Sequence, residues 1–145
     1  MIQIFNRSHY EDILFPVVHE LLDKKQIQQR HETINKFEEH LQNSNVIILK
    51  FFLHISKKEQ NKRLETRLTD PEKKWKYNAD DKNEAKKWND YMDAYQNVLD
   101  GCGKHNPWMI VPADQKWYRN YLVATTIVET LENLKMKYPN NFSPI

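Results

Sequence analysis

Val46-Ile47-Ile48-Leu49-Lys50-Phe51-Phe52-Leu53-His54-Ile55 is the stretch on which the reading of the fold turns. Eight of its ten residues are apolar, and they do not alternate with polar ones. A strand with one wet face alternates, so this run predicts a strand covered on both faces, as in a parallel sheet. Ser56 follows at once and Glu59 stands three residues later. Ser-x-x-Glu is a capping box, so a helix is expected to begin where the strand stops. A buried strand feeding a capped helix is half of a βαβ unit.

Upstream, Ile2–Phe5 predicts a short strand ending at Asn6-Arg7, and Ser8 with Glu11 makes a second capping box. Ile13, Leu14, Val17, Val18, Leu21 and Leu22 recur at helical spacing, with Pro16 marking a kink or the first turn of a second piece. Ile34, Phe37 and Leu41 mark a further helix. Downstream of Ser56, Leu64 and Leu68 share one helical face while Arg63 and Arg67 are neighbours on another. Asp70-Pro71 ends that helix, and a charged connection from Lys73 to Asp81 carries Trp75 and Tyr77. From about Asp80 a single helix is expected, with Trp88, Tyr91, Met92, Tyr95 and Leu99 as its apolar stripe, stopped by Gly101-Cys102-Gly103. Pro107–Pro112 predicts a third strand. Asp114 is then expected to cap a last helix with Leu122, Val128, Leu131 and Leu134 inward, and the tail from Pro139 to fray.

Strand, polar cap and helix thus recur three times, the signature of a doubly wound α/β domain. Ligands of such sheets sit beyond the carboxyl ends of the strands. Those ends are Asn6-Arg7, His54 and Asp114–Lys116.

Composition narrows the function. The 145 residues suit one domain and carry a net charge of only +2, which argues against a general nucleic-acid partner. Twelve of the 22 Lys and Arg but only eight of the 20 Asp and Glu fall within residues 50–90, which favours a local anionic ligand. A single cysteine, Cys102, provides neither a disulfide framework nor a thiolate metal site and fits a reducing cytoplasm. The longest apolar run is too short to span a bilayer, so no membrane association is expected, and the first residues do not read as a signal peptide. The only glycines are Gly101 and Gly103, so neither GxxxxGK nor GxGxxG occurs in these residues.

On residue type alone the candidate groups have two readings each. Arg7, at a strand end just before a helix, suits a phosphate or pairs with Glu11 on the surface. Arg63 and Arg67 could clamp a phosphate chain or form a solvated face. His9 and His54 are acid–base candidates or hydrogen-bonded structural histidines. Trp75 and Tyr77 could stack on a base or cover the core.

The segments Ile4-Phe5-Asn6-Arg7-Ser8-His9-Tyr10-Glu11-Asp12, Leu49 to Arg63 (LKFFLHISKKEQNKR), Arg67 to Lys76 (RLTDPEKKWK) and Pro107 to Arg119 (PWMIVPADQKWYR) together resemble the second family of polyphosphate kinases, the polyphosphate:nucleotide phosphotransferases. The likeness covers nearly the whole chain in order. It implies a P-loop-kinase-like parallel sheet with flanking helices and a helical lid at about residues 57–80. It also implies Mg²⁺-assisted phosphoryl transfer between polyphosphate and AMP, ADP or ATP, and a homo-oligomer in full-length members. The segment around Asn6 resembles the family's Walker-B-like strand end, where some branches carry Asp. The Asn form resembles the branch acting on AMP and ADP. By this carry-over Asn6 and Arg7 belong to the catalytic centre, and Arg7, Arg63, Arg67, Lys73 and Lys76 hold phosphates. Asp114, Lys116 and Arg119 join them at the last strand end. No residue is assigned as a metal ligand. The family's Walker A loop finds no counterpart. The resemblance therefore implies one N-terminally truncated, incomplete kinase-like domain over residues 1–145, with the P-loop strand missing. Such a chain is expected to be inactive alone, or to be a non-catalytic module that binds polyphosphate or other anions.

Overall fold

A computed structural model describes residues 1–103 and 105–138. The elements run α1 (Glu11–Val18), α2 (Lys24–Asn43), β1 (Lys50–His54), α3 (Lys57–Thr69), α4 (Asp81–Lys86), α5 (Trp88–Gly101), β2 (Trp108–Pro112) and α6 (Lys116–Asn133), with a 3₁₀ turn at Lys74–Lys76. The architecture is α/β. β1 and β2 form a two-stranded parallel sheet in register from Lys50 opposite Trp108 to His54 opposite Pro112.

The core lies where α1 and α5 meet. Tyr10, Ile13 and Leu14 pack against Ile34 of α2 and against Ala94, Val98 and Cys102. On α5 the deepest residues are Ala94 and Val98. The predicted aromatic stripe flanks them, since small side chains let the two helices approach while the rings cover the sides. Gly101 serves the same closeness to α2: a Cβ there would lie 2.5 Å from Nδ1 of the buried His31.

Lys50 is the exception within the apolar strand. Its side chain is 5% exposed, and its Nζ donates to Glu38 Oε2 (2.7 Å), the Tyr10 hydroxyl (2.8 Å) and the Cys102 carbonyl (2.6 Å). Three ammonium protons thus meet three acceptors, the condition under which a buried charge is tolerated. Tyr10 in turn donates to Glu38, and Asn106 Nδ2 reaches the same carboxylate. The cluster ties the start of α1, the middle of α2, the first residue of β1 and the end of α5 to one point.

Several expectations are corrected. Ile2–Phe5 is not a strand. Ile2, Ile4 and Phe5 are exposed, because no neighbouring strand among the described residues offers them a ladder. Val46–Leu49 also lies outside β1, which starts only at Lys50, where β2 begins to pair. β1 is not covered on both faces, for Leu53 is 46% exposed. Ser8 does not cap α1. The N-cap is Tyr10, which makes no side-chain cap, and Ser8 Oγ accepts only from the Tyr10 N–H at 3.4 Å. Pro16 starts no second piece but lies within α1, and the Asp12 carbonyl that its missing N–H leaves free accepts from Arg30. The helix expected from Asp80 is two helices broken at Lys87. Val128 and Leu134 of α6 are exposed, and that helix contains no fully buried residue. The tail from Pro139 lies outside the described residues.

Candidate functional site

Two backbone N–H bonds join the carboxyl ends of β1 and β2. The Ala113 N–H donates to the His54 carbonyl at 2.7 Å. One residue beyond β1 the chain turns, and Ser56 becomes the N-cap of α3 as expected, its hydroxyl accepting from the Glu59 N–H at 3.1 Å. The backbone N–H of Ser56 donates to Asp114 Oδ1 at 2.7 Å. Asp114 therefore does not cap α6, as expected from sequence, but bonds to the residue that opens α3. The N-cap of α6 is Gln115, without a side-chain cap. The Ser56 N–H and then its hydroxyl hold the Asp114 carboxyl below the usual range, with smaller help from Arg63 and His54.

Arg63 completes this junction from α3. Its Nε donates to Glu59 at 2.8 Å, and its Nη2 donates to the carbonyls of Ala113 (2.9 Å) and Asp114 (3.3 Å). Glu59 thus spends its carboxylate on Arg63 rather than closing the capping box. Its side chain is only 20% exposed, so this i,i+4 pair is better shielded than an ordinary surface pair. One turn further, Arg67 is ion-paired through Nη1 to Asp81, the first residue of α4.

Arg63 and Arg67 line one open groove of about 450 Å³, with His54 at the end of β1 and with Trp88, Tyr91 and Tyr95 on α5. On its far wall Glu84 accepts from the Tyr91 hydroxyl at 2.8 Å and meets His19 Nε2 at 3.1 Å. The Tyr91 bond, ahead of His19, depresses the Glu84 carboxyl. Burial raises Tyr95, Glu11 adds to the rise, and the Arg7 charge opposes it. Arg7 itself does not line the groove. It is exposed and adopts φ 78°, a left-handed conformation uncommon for a residue with a side chain, in the turn that leads into α1.

The structure therefore brings Arg63, Arg67 and Asp114 to the carboxyl end of the sheet and separates the others. Asn6 is exposed beside Arg7. Lys73 pairs with Asp70 at 2.5 Å, and Lys76 Nζ stands 4.9 Å from the ring centre of the exposed Trp75. Neither lines the groove. Arg119 donates to its neighbour Asn120 at 2.7 Å, and Lys116 is exposed at the start of α6. Sequence reasoning did not find the partners Glu59 and Asp81, nor the Tyr10–Glu38–Lys50 cluster. The signal for the last was a lone lysine inside an apolar strand.

Mg²⁺ finds no prepared seat here. Among the described residues no three His, Cys, Asp or Glu side chains converge on one point. Asp114 and Glu59 are already engaged by Ser56 and Arg63. Asn6 brings no charge.

Residues 1–139 match the family described as Polyphosphate kinase 2 (PPK2). The chain belongs to the polyphosphate kinase 2 family. It is 46% identical over 137 residues to the AMP/ADP-polyphosphate phosphotransferase of Meiothermus ruber, covering 94% of this chain and 51% of that protein. The crystal structure of Polyphosphate Kinase 2 from Arthrobacter aurescens TC1 superposes with a TM-score of 0.95 at 39% identity, over 100% of this chain and 52% of that one. The chain thus spans about half the length of these polyphosphate kinase 2 relatives. A third relative, an uncharacterized protein in the chlN 3′ region of Leptolyngbya boryana, is 40% identical over 77% of this chain and 82% of its own length. Among the described residues no helix is long and apolar enough to cross a membrane.

Proposed function

We propose that this chain is the anion-gripping part of a polyphosphate-dependent nucleotide kinase that moves a phosphoryl group between polyphosphate and AMP or ADP. The observation that carries the reading is the placement of Arg63 and Arg67 in one groove at the carboxyl ends of two parallel strands. The activities for which the relatives are named supply the substrate class.

Phosphoryl transfer asks a protein for positioning and charge neutralisation rather than covalent chemistry. Arg63 is suited to positioning, since Glu59 and two backbone carbonyls fix its guanidinium plane while Nη1 has no partner among the described residues. Arg67 is suited to exchange. A polyanion entering the groove competes with Asp81 for its guanidinium, so the link between α3 and α4 opens as the ligand is gripped. Arg7, exposed in the turn ahead of α1, supplies a further positive charge for the anion. Mg²⁺ enters this reading bound to the phosphates.

A second reading is favoured by the absence of any GxxxxGK among the 145 residues. A polypeptide of these residues alone binds polyphosphate without turning it over, because the backbone cradle and lysine of a phosphate loop are missing. Loss of one well-placed donor typically costs about 10²–10³-fold in rate. The test is incubation of the purified chain with long-chain polyphosphate, Mg²⁺ and AMP or ADP. Binding without product supports the second reading, product at the rate of the Meiothermus protein supports unaided catalysis, and absence of binding overturns both.

A further inference from the structure

A second groove runs along another side of α3. The 3₁₀ turn at Lys74–Lys76 folds back on α3, and α4 follows alongside, which leaves a trough of about 540 Å³ between α3, Tyr77 and α4. That volume is within the roughly 300–1,000 Å³ of small-molecule sites. Leu64, Asp81 and Ala85 line this groove and the first alike, so the two stand back to back, but no residue of β1 or β2 reaches the second. Its floor is apolar, made by Leu64, Leu68 and Ala85 with Tyr77 beside them. Leu68 is left 38% exposed and Tyr77 44%, so Tyr77 does not serve to cover the core. The rim is cationic. Lys57 opens α3, and Lys82 and Lys86 are one turn apart on α4. Lys86 donates only to the neutral Asn83 at 3.2 Å, and Lys57 and Lys82, both exposed, meet no partner among the described residues. Asp81 is neutralised by Arg67, which leaves three ammonium groups against the charge of Glu65.

The two kinds of lining are also sorted along the groove. α4 opens at Asp81 opposite Arg67, near the end of α3, and the chain then runs back toward the sheet, where Tyr95 meets Phe52 at 4.4 Å between ring centres. Lys86 is thereby carried toward the start of α3 and Lys57, while Tyr77 stays with Leu68 at the other end. An inorganic polyanion has no use for the apolar floor, and an uncharged ring has none for the lysines. We propose that this groove binds a nucleoside phosphate, with its base against Tyr77 and Leu68 and its phosphate at the Lys57–Lys86 end, apart from the groove of Arg63 and Arg67. A base offers a flat face to an aromatic ring whatever its identity, and an ammonium group meets a phosphate as a point charge without demanding one geometry. The site is therefore expected to select for a ring joined to a phosphate rather than for one particular base. The inference rests on the lining of this groove and not on the activity proposed above.

The test titrates the whole chain with AMP, adenosine and inorganic tripolyphosphate and follows backbone amide resonances. Leu68, Tyr77 and Lys82 line only the second groove, and Phe52, Trp88 and Tyr95 only the first. AMP is expected to shift the Leu68, Tyr77 and Lys82 amides saturably. Adenosine and tripolyphosphate, each offering half of the ligand, are expected to bind there at least about tenfold more weakly. Lys57→Glu with Lys86→Glu is expected to leave the melting midpoint unchanged, both side chains being exposed, and to weaken AMP at least about tenfold. Tyr77→Ala is expected to weaken AMP similarly and Tyr77→Phe to restore it. AMP shifts confined to Phe52, Trp88 and Tyr95 overturn the proposal. So does tripolyphosphate or adenosine binding the second groove as tightly as AMP, or AMP binding that survives both the double lysine variant and Tyr77→Ala. AMP in the second groove of a chain that ignores polyphosphate upholds it and removes the kinase reading instead.

Discussion

Lys50 and Glu38 meet at 2.7 Å with side chains 5% exposed, a closed ion pair in the interior of a chain of only 145 residues. Two full charges out of water are tolerated here because each is also hydrogen-bonded to neutral groups. The pair joins β1 to α2, so the end of the strand that carries His54 inherits its position from it.

Lys50→Met removes one partner and leaves the Glu38 carboxylate buried beside Tyr10. A loss of about 3–5 kcal/mol in unfolding free energy is expected. Urea denaturation of the variant and of Lys50→Met with Glu38→Leu checks it. The double variant is expected to recover part of the loss, and a double variant as unstable as the single one would contradict this account.

Burial alone would raise the Glu38 carboxyl, but hydrogen bonds from His9, Lys50 and Tyr10 outweigh it and bring it from the ordinary 4.5 to about 2. A folded-state value below the unfolded one means the stabilisation is complete above pH 4.5 and is lost as the pH falls toward 2. A loss on the order of 3 kcal/mol is expected over that window. Urea midpoints at pH 7, 4.5 and 2.5 measure it, and Glu38→Gln is expected to flatten the profile while lowering its plateau.

Gly101→Ala would place a Cβ 2.5 Å from Nδ1 and 2.9 Å from Cε1 of the buried His31 ring. The alanine gains about 1 kcal/mol in helix propensity, and overpacking costs roughly 1–3 kcal/mol. A net loss of about 1 kcal/mol is expected by thermal melting. Adding His31→Ala is expected to cancel the clash, so the two substitutions should not be additive.

Arg63→Ala with Arg67→Ala is expected to lower polyphosphate affinity by at least about tenfold, since bonds to charged groups contribute roughly 1.5–3 kcal/mol each. The binding isotherm should also become less salt-dependent. Asp81→Asn, which releases Arg67, is expected to tighten binding. Unchanged affinity in the double alanine variant would remove the clamp.

The junction of β1 and α3 was legible because its signals are local. Ser56 caps a helix wherever a strand delivers it, and the spacing of Arg63 and Arg67 places them on adjacent turns. Pro107–Pro112 was legible for the same reason. Ile2–Phe5 and the supposed double covering of β1 were misread because apolar content records what a strand is suited to meet, not what lies beside it. Ser8 and Asp114 fit a capping pattern, but caps are decided by competition. Tyr10 took the first position, and the Ser56 N–H took the Asp114 carboxylate. The break at Lys87 has no proline or glycine to announce it. Glu38 and Lys50 are twelve residues apart, and only the fold shows that they face each other.

The bond from Ser56 to Asp114 has a consequence for how a long anion is held. At the opening of α3, where a free phosphate would ordinarily lodge, one of the protein's own carboxylates already takes the Ser56 N–H. What remains for a visitor is a pair of guanidinium arms, and arms of that kind take any unit of a repeating anion with equal ease. Under the function proposed above, such a seat would have no fixed register, and a uniform polymer would be free to slip through it one unit at a time.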